Sequence, residues 1–194
     1  FEVPEYYWPT SDAAEIHSMS MEYFAYPWMD DFFAEEADKY RYAHLVESLL
    51  FLPYGVAVDE FQHHIYEQPE LTPTERKTLW RNIEKKYLPL KDYDNNNYLN
   101  AGGFWQTQAH IYQSPFYYID YTLAQMCAFQ FWLKAKKDNV AALHDYVQLC
   151  KAGGSRSFLE LVEYANLRSP FEVNVFADIV GELDGYLKGV DESK

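Results

Sequence analysis

An all-α fold is the expectation, and three observations carry it. Apolar residues recur at helical spacing with almost no period-two alternation. Proline and glycine fall where they would punctuate helices rather than strands. Several of the resulting segments open on helix start signals, of which Thr72-Pro73-Thr74-Glu75 is the strongest, a capping box with Pro at the first helical position. With 194 residues, 48% hydrophobic and 19% aromatic, the chain can bury a substantial core.

Taken in order, Phe1 to Ser11 carries Pro4 and Pro9 among Tyr6, Tyr7 and Trp8 and reads as an extended arm that packs against something. A first helix is expected from about Asp12 to Glu36, interrupted or kinked at Pro27. A second helical region covers Ala37 to Tyr66, with Pro53-Tyr54-Gly55 breaking or bending it and Gln68-Pro69 ending it. The capping box starts a helix that reaches about Leu88, before Pro89. Lys91 to Gly103 is the most polar loop. Its Asp92, Asp94 and Asn96 imitate the start of a calcium loop, but Asn97 stands where Gly and Gly103 where Glu is required, so calcium is rejected there.

A short helix from Phe104 to Gln113 follows, and Ser114-Pro115 is expected to cap a long helix through about Lys137. Helices over Asn139 to Lys151, Ser155 to Leu167 and Glu172 to Lys188 complete the set, with Val190 to Lys194 a charged tail. Gly153-Gly154-Ser155-Arg156-Ser157 could present amides to an anion or serve as a tight connection with Gly as C-cap.

Charge and cysteine usage narrow the function classes. Sixteen Lys and Arg against thirty Asp and Glu leave a formal charge of -14, which opposes binding to nucleic acid or an anionic membrane. Cys127 and Cys150 stand far apart and form no C-x-x-C pair, so no disulfide framework or thiolate metal site is suggested and a reducing, cytoplasmic setting is expected. The longest nearly apolar run, Leu49 to Val58, contains Pro53 and Gly55 and is too short to span a bilayer. No signal peptide is recognisable, and because the chain opens on Phe1 without Met, its natural N-terminus is expected upstream.

Four stretches could carry chemistry. In Asp12 to Glu22 a helix would place Glu15, Ser18, Met19 and Glu22 on one face, two carboxylates two turns apart; alternatively Asp12 and Glu15 form a capping box that merely starts the helix. Asp59 to Glu67 brings Glu60, His63, His64 and Glu67 within two turns and holds one Glu-x-x-His unit, Glu60-His63, where di-iron bundles need two; a polar seam between helices is the other reading. The acidic run Asp30 to Glu36 suggests a magnesium-diphosphate motif but lacks its second metal motif downstream, and otherwise reads as a solvated helix end. In the fourth, Trp105 to Tyr121, His110 precedes Tyr117, Tyr118 and Tyr121 at helical spacing, donors suited to a developing oxyanion, although a Tyr-rich helix also suits a core.

Ala14 to Glu22, Val58 to His63, His110-Ile-Tyr through Tyr121, and Lys151-Ala-Gly-Gly-Ser together resemble, in order and across almost the whole chain, the oligoendopeptidase F branch of the thimet oligopeptidase-type zinc metallopeptidases. The resemblance implies an all-α, multi-helix C-terminal half of an oligopeptidase (zincin-type) catalytic domain, with residues 1–194 part of a single domain. It implies zinc-assisted hydrolysis of oligopeptides, with helices walling the site into a channel closed to folded proteins. In that family an H-E-x-x-H helix supplies two His ligands and the general base, and a Glu in a Glu-x-x-Ser context completes the zinc site. The matching residue here is Glu15, with Ser18 in context and Glu22 behind the ligands, orienting a ligand His.

By the same resemblance His110, Tyr118 and Tyr121 stabilise the oxyanion or hold the peptide, Tyr117 competes with Tyr118, and Tyr117 and Tyr112 contact substrate. Glu60 and His63 would brace the site from a neighbouring helix. The departure is that no H-E-x-x-H occurs in these residues. An upstream segment of the same protein is therefore expected to carry it, and the isolated chain is expected to be inactive. A non-catalytic helical interaction module, or a helical di-metal or diphosphate-dependent enzyme, remains open at this point.

Overall fold

The computed structural model describes residues 2–190. Phe1 of the expected arm, and residues 191–194 of the expected tail, lie outside them. The described residues contain helices and no strand. In order they are α1 (Ser11–Phe24), α2 (Met29–Phe33), α3 (Ala37–Glu67), α4 (Pro73–Tyr87), α5 (Asn97–Asn100), α6 (His110–Gln113), α7 (Tyr118–Lys137), α8 (Asn139–Ala152), α9 (Phe158–Tyr164) and α10 (Val173–Lys188). No helix among them is long and apolar enough to cross a membrane. The chain clusters into two compact units, residues 1–48 with 123–194, and residues 49–122.

The core of the first unit forms where α1 buries Ala13, Ile16 and Phe24 with Cys127, Phe131, Tyr146, Leu149 and Leu161 of later helices. The expected interruption at Pro27 is present: α1 ends at Phe24, and a 3-10 turn over Tyr26–Trp28 leads into the short α2. The arm is not extended throughout, since Pro4–Tyr7 winds into a 3-10 turn that Pro4 can open because its missing N–H is not needed there. It does pack, and its partner is the α8–α9 turn. Gly154 N–H donates to the Tyr6 carbonyl at 2.9 Å, and a Cβ on Gly154 would lie 2.2 Å from the Trp8 carbonyl oxygen, so only Gly fits. Gly153 caps α8 at φ 50°, the connector role, and the Gly154 amide is spent on the arm rather than offered to an anion.

In the second unit Ala57, Val58 and Phe61 of α3 pack with Trp80 and Ile83 of α4, Trp105, Ile111 and Tyr118. The capping box of α4 forms as expected, Thr72 N–H donating to Glu75 Oε2 at 2.8 Å and Glu75 N–H to Thr72 Oγ1 at 3.3 Å.

Three local expectations are corrected. Pro53 does not break α3. An interior proline costs about 3 kcal/mol, whereas burying one large apolar side chain returns about 1.5–3 kcal/mol, and Leu52, Val58 and Phe61 all lie on the buried face. Gly55 is a packing residue there: a Cβ would lie 2.0 Å from Thr122 Oγ1. Ser114-Pro115 does not cap the long helix, because Phe116 turns through φ 63° and α7 begins only at Tyr118. The turn is held by Phe116 N–H donating to Gln62 Oε1 at 2.8 Å and by the Phe116 ring on His63 and Tyr66. The single helix expected over Phe104 to Gln113 is a 3-10 turn, Gly103–Thr107, and α6, separated by extended Gln108 at φ -84°, ψ 93°.

The polar loop owes its composition to turn making. Asp92 Oδ1 accepts from Tyr93 N–H at 2.6 Å, Asp94 and Asn95 take positive φ, and Asn96 caps α5 by accepting from Tyr98 and Leu99 N–H.

Candidate active site

Glu15 and Glu22 belong to the first unit, and the His110 group to the second. On α1 the buried stripe is Ala13, Ile16, Ser20, Tyr23 and Phe24. Glu15, Ser18 and Glu22 flank it, Glu15 half-buried and the other two exposed. The helix starts after Thr10, which makes no side-chain cap bond, so the Asp12–Glu15 capping box does not form. Beside Glu15 the Ser18 hydroxyl stands 3.1 Å from both Glu15 Oε2 and the Glu15 carbonyl oxygen, so its single proton is shared between the carboxylate and the helix backbone. The Glu-x-x-Ser spacing itself sets this contact.

Glu22 accepts from His44 Nε2–H at 2.9 Å, and the Tyr26 hydroxyl lies 2.7 Å from His44 Nδ1. Burial, with nearby Tyr and Glu charge adding to it, pushes the Tyr26 hydroxyl well above the ordinary phenol range. Tyr26 therefore keeps its proton, and the Arg41 carbonyl oxygen, 3.4 Å away, is a second acceptor within its reach. Within the described residues the histidine that Glu22 orients is His44, a residue the sequence reading passed over. Nothing local links positions 22 and 44 in sequence.

In the second unit His110 sits among three tyrosines. Its ring is edge-on to Tyr118 at 5.1 Å and to Tyr121 at 5.6 Å between centroids, and stacks on Tyr117 at 6.2 Å with an interplanar angle of 10°. Tyr121 is in turn edge-on to Tyr117 and Tyr118. Tyr118 is only 9% exposed, and burial pushes its hydroxyl up to about 12, so it stays protonated at neutral pH. Tyr112 lies outside this group, exposed and stacked on Trp105 at 5.6 Å.

Two residues absent from the sequence reading complete the cluster. Gln108 Nε2 lies 2.6 Å from His110 Nδ1, and the Tyr54 hydroxyl donates to Gln108 Oε1 at 2.9 Å. Gln108 was within reach of inspection, two positions from His110; Tyr54 was not. Both also line a mostly apolar cleft of about 540 Å³ with Leu50, Pro53, Leu88 and Phe104, to which Lys91 and Thr107 add polar groups.

The Glu60–His63 pair diverges in its contacts. Glu60 accepts from Lys86 Nζ at 2.7 Å and from the Tyr87 hydroxyl, whereas His63 faces Asp59 at 3.5 Å and packs on Phe116. Likewise the acidic run is held in ion pairs, Asp30 with Arg41 and Glu36 with Lys39.

Among the described residues no three His, Cys, Asp or Glu side chains group so as to hold a metal ion. They do not make a zinc site on their own, and a di-metal reading has no ligand cluster to rest on. A half-buried carboxylate with a hydroxyl beside it fits the part of a single zinc ligand, for which Glu15 is suited.

Fold and comparisons together place this helical chain in a class of peptidases. The sequence profile of peptidase family M3 matches residues 2–179, and the chain belongs to that family. Among solved structures, one assigned as an oligoendopeptidase F is 63% identical with a TM-score of 0.96, over 98% of this chain and 34% of its own. PZ peptidase A with an inhibitor is 59% identical with a TM-score of 0.97, over 100% and 34%. A structure assigned as an oligoendopeptidase F from Bacillus anthracis strain Ames is 55% identical with a TM-score of 0.85, over 99% and 31%. The chain thus spans about a third of the length of these relatives. No curated protein matches it. The oligoendopeptidase F resemblance and the all-α class read from the sequence are borne out.

Proposed function

We propose that the chain supplies one zinc ligand and the oxyanion-binding side of a zinc metalloendopeptidase that hydrolyses oligopeptides. The observation that carries this reading is the convergence of His110 with Tyr117, Tyr118 and Tyr121, inside a family whose members are peptidases. Glu15 is the ligand, its free geometry narrowed by Ser18. A zinc ion, when bound, would acidify a water molecule and polarise the scissile carbonyl. The two His ligands and the general base come from an H-E-x-x-H segment outside these 194 residues, since none occurs within them.

His110 presents its Nε2 side to the reacting peptide, and Tyr118 and Tyr121 offer phenol donors for the charge that develops on the carbonyl oxygen. Such donors stabilise the transition state more than the ground state, because the oxygen gains charge as the tetrahedral centre forms. Tyr117, stacked on His110 and less buried than Tyr118, and Tyr112 hold the peptide. Glu22, Glu60 and His63 brace the site without touching substrate. The site works on peptides in the cytoplasm, with neither nucleic acid nor a membrane as partner.

The test uses the longer protein that includes the H-E-x-x-H segment. Glu15→Ala is expected to drop its zinc content well below one per chain and to abolish chelator-sensitive cleavage of an internally quenched oligopeptide, with the circular dichroism unchanged. Full zinc occupancy in that variant would remove Glu15 from the site.

A further inference from the structure

We propose that Gln108 and Tyr54 are positioning residues for His110: they fix which ring nitrogen carries the proton, so that Nε2–H faces outward as a donor. The inference rests on the reading above that His110 donates to the peptide oxygen. It adds the device that keeps His110 in the form able to do so.

A neutral imidazole has one donor and one acceptor nitrogen, and its neighbours decide which is which. Here Gln108 Nε2 approaches Nδ1 at 2.6 Å. An amide nitrogen can only donate, so Nδ1 is the acceptor and the proton sits on Nε2. The amide is itself oriented from behind, because the Tyr54 hydroxyl lies 2.9 Å from Gln108 Oε1. A reversed amide would ask the phenol oxygen to accept and leave the phenol proton in need of another acceptor.

Tyr54 is well placed to hold that orientation. Its ring is edge-on to Trp80, Phe104 and Tyr118, at 6.2, 6.1 and 5.8 Å between centroids, which restricts where the hydroxyl can point. Burial pushes this hydroxyl far above the ordinary phenol range, so it remains a donor at any working pH. Gln108 can reach both partners because it occupies the extended break between the 3-10 turn and α6, where the backbone leaves the helical direction. Packing by Tyr117, Tyr118 and Tyr121 holds the ring plane, and the Tyr54–Gln108 relay holds the proton.

The test is two-bond proton–nitrogen NMR on the 194-residue chain labelled with nitrogen-15 histidine, at a pH where the imidazoles are neutral. His110 is expected as the Nε2–H tautomer. Gln108→Glu replaces the donor by an acceptor and should move the proton to Nδ1. Tyr54→Phe, which keeps the ring packing, frees the amide to turn and should give a mixture. Either an Nδ1–H tautomer in the unaltered chain, or an unchanged Nε2–H signal in both variants, would overturn the proposal.

In the longer protein Gln108→Glu is expected to lower kcat about a hundredfold, the size of losing one oxyanion donor, with little change in KM. His110→Ala with undiminished turnover would sink the functional reading while leaving the tautomer result standing. Lost turnover in His110→Ala beside an insensitive tautomer would sink only the relay.

Discussion

Gly55→Ala should destabilise the second unit through one contact, and Thr122→Ala should relieve it. The added Cβ would meet Thr122 Oγ1 at 2.0 Å, well inside any real contact, while Thr122 Cβ stands at 3.4 Å, an ordinary distance. Thr122 is 7% exposed, so turning its Oγ1 into its other helical rotamer means finding room among packed neighbours. Overpacking of this kind costs up to about 3 kcal/mol, and the helix-propensity gain of Gly to Ala returns about 1 kcal/mol, leaving a net loss of about 2 kcal/mol. Thr122→Ala removes a buried hydroxyl that has no partner and one methyl, a loss of about 1 kcal/mol. Independent effects would sum to about 3 kcal/mol; the double variant should lose almost nothing, because with the obstructing oxygen gone the helix-propensity gain of about 1 kcal/mol offsets the Thr122→Ala loss. Urea unfolding followed by circular dichroism at the helix signal measures all three variants. Additivity within about 0.5 kcal/mol would refute the contact.

The remaining predictions span the fold and the site. Arg81→Leu leaves the fully buried Glu84 carboxylate, which Arg81 Nη1 holds at 2.6 Å, without its countercharge and with only the Tyr93 hydroxyl as donor, and should cost about 3 kcal/mol in urea unfolding; the double variant with Glu84→Leu should recover much of it. Burial alone would raise the Asp145 carboxyl, but bonds from Lys134 and Asn166 and the Lys134 charge outweigh it and hold the group below the ordinary range. That stabilisation is complete above the unfolded carboxyl value near about 4 and is lost as pH falls through the lowered folded value. Asp145→Asn should therefore melt earlier than the parent at pH 7, and the gap should close in strong acid. In the longer protein, Tyr118→Phe and Tyr121→Phe should each lower kcat about a hundredfold, whereas Tyr117→Phe, which keeps its ring on His110, should act mainly on KM; a larger kcat loss for Tyr117→Phe would exchange the two assignments.

Helix identity was legible wherever local chemistry decided it. Thr72 to Glu75 starts α4 because both halves of the capping box are met within four residues, and Gly153 ends α8 where the backbone turns to φ 50°. Misreadings came where a distant residue overrode a local signal. Pro53 stays inside α3 because its neighbours are buried against α4 and Trp105, and Ser114-Pro115 yields to Phe116, whose amide is bound by Gln62, 54 positions earlier. The site divides in the same way. Glu15 with Ser18, and His110 with its tyrosines, were readable because spacing along one segment places them together. His44 beside Glu22 and Tyr54 behind Gln108 could not be read, since their partners lie 22 and 54 positions away.

The most direct measurement is hydrolysis of a quenched oligopeptide by the purified 194-residue chain, alone and with the H-E-x-x-H segment of the same protein added, each with and without chelator. The account predicts no turnover and less than stoichiometric zinc for the chain alone, and chelator-sensitive turnover once the segment is supplied. The proposed site takes only one ligand, Glu15, from this chain where a catalytic zinc needs about three, and a base supplied from elsewhere is worth about a hundredfold or more. Chelator-sensitive cleavage by the chain alone would contradict it, because a complete metal site would then have to exist where no three candidate ligands come together among the described residues.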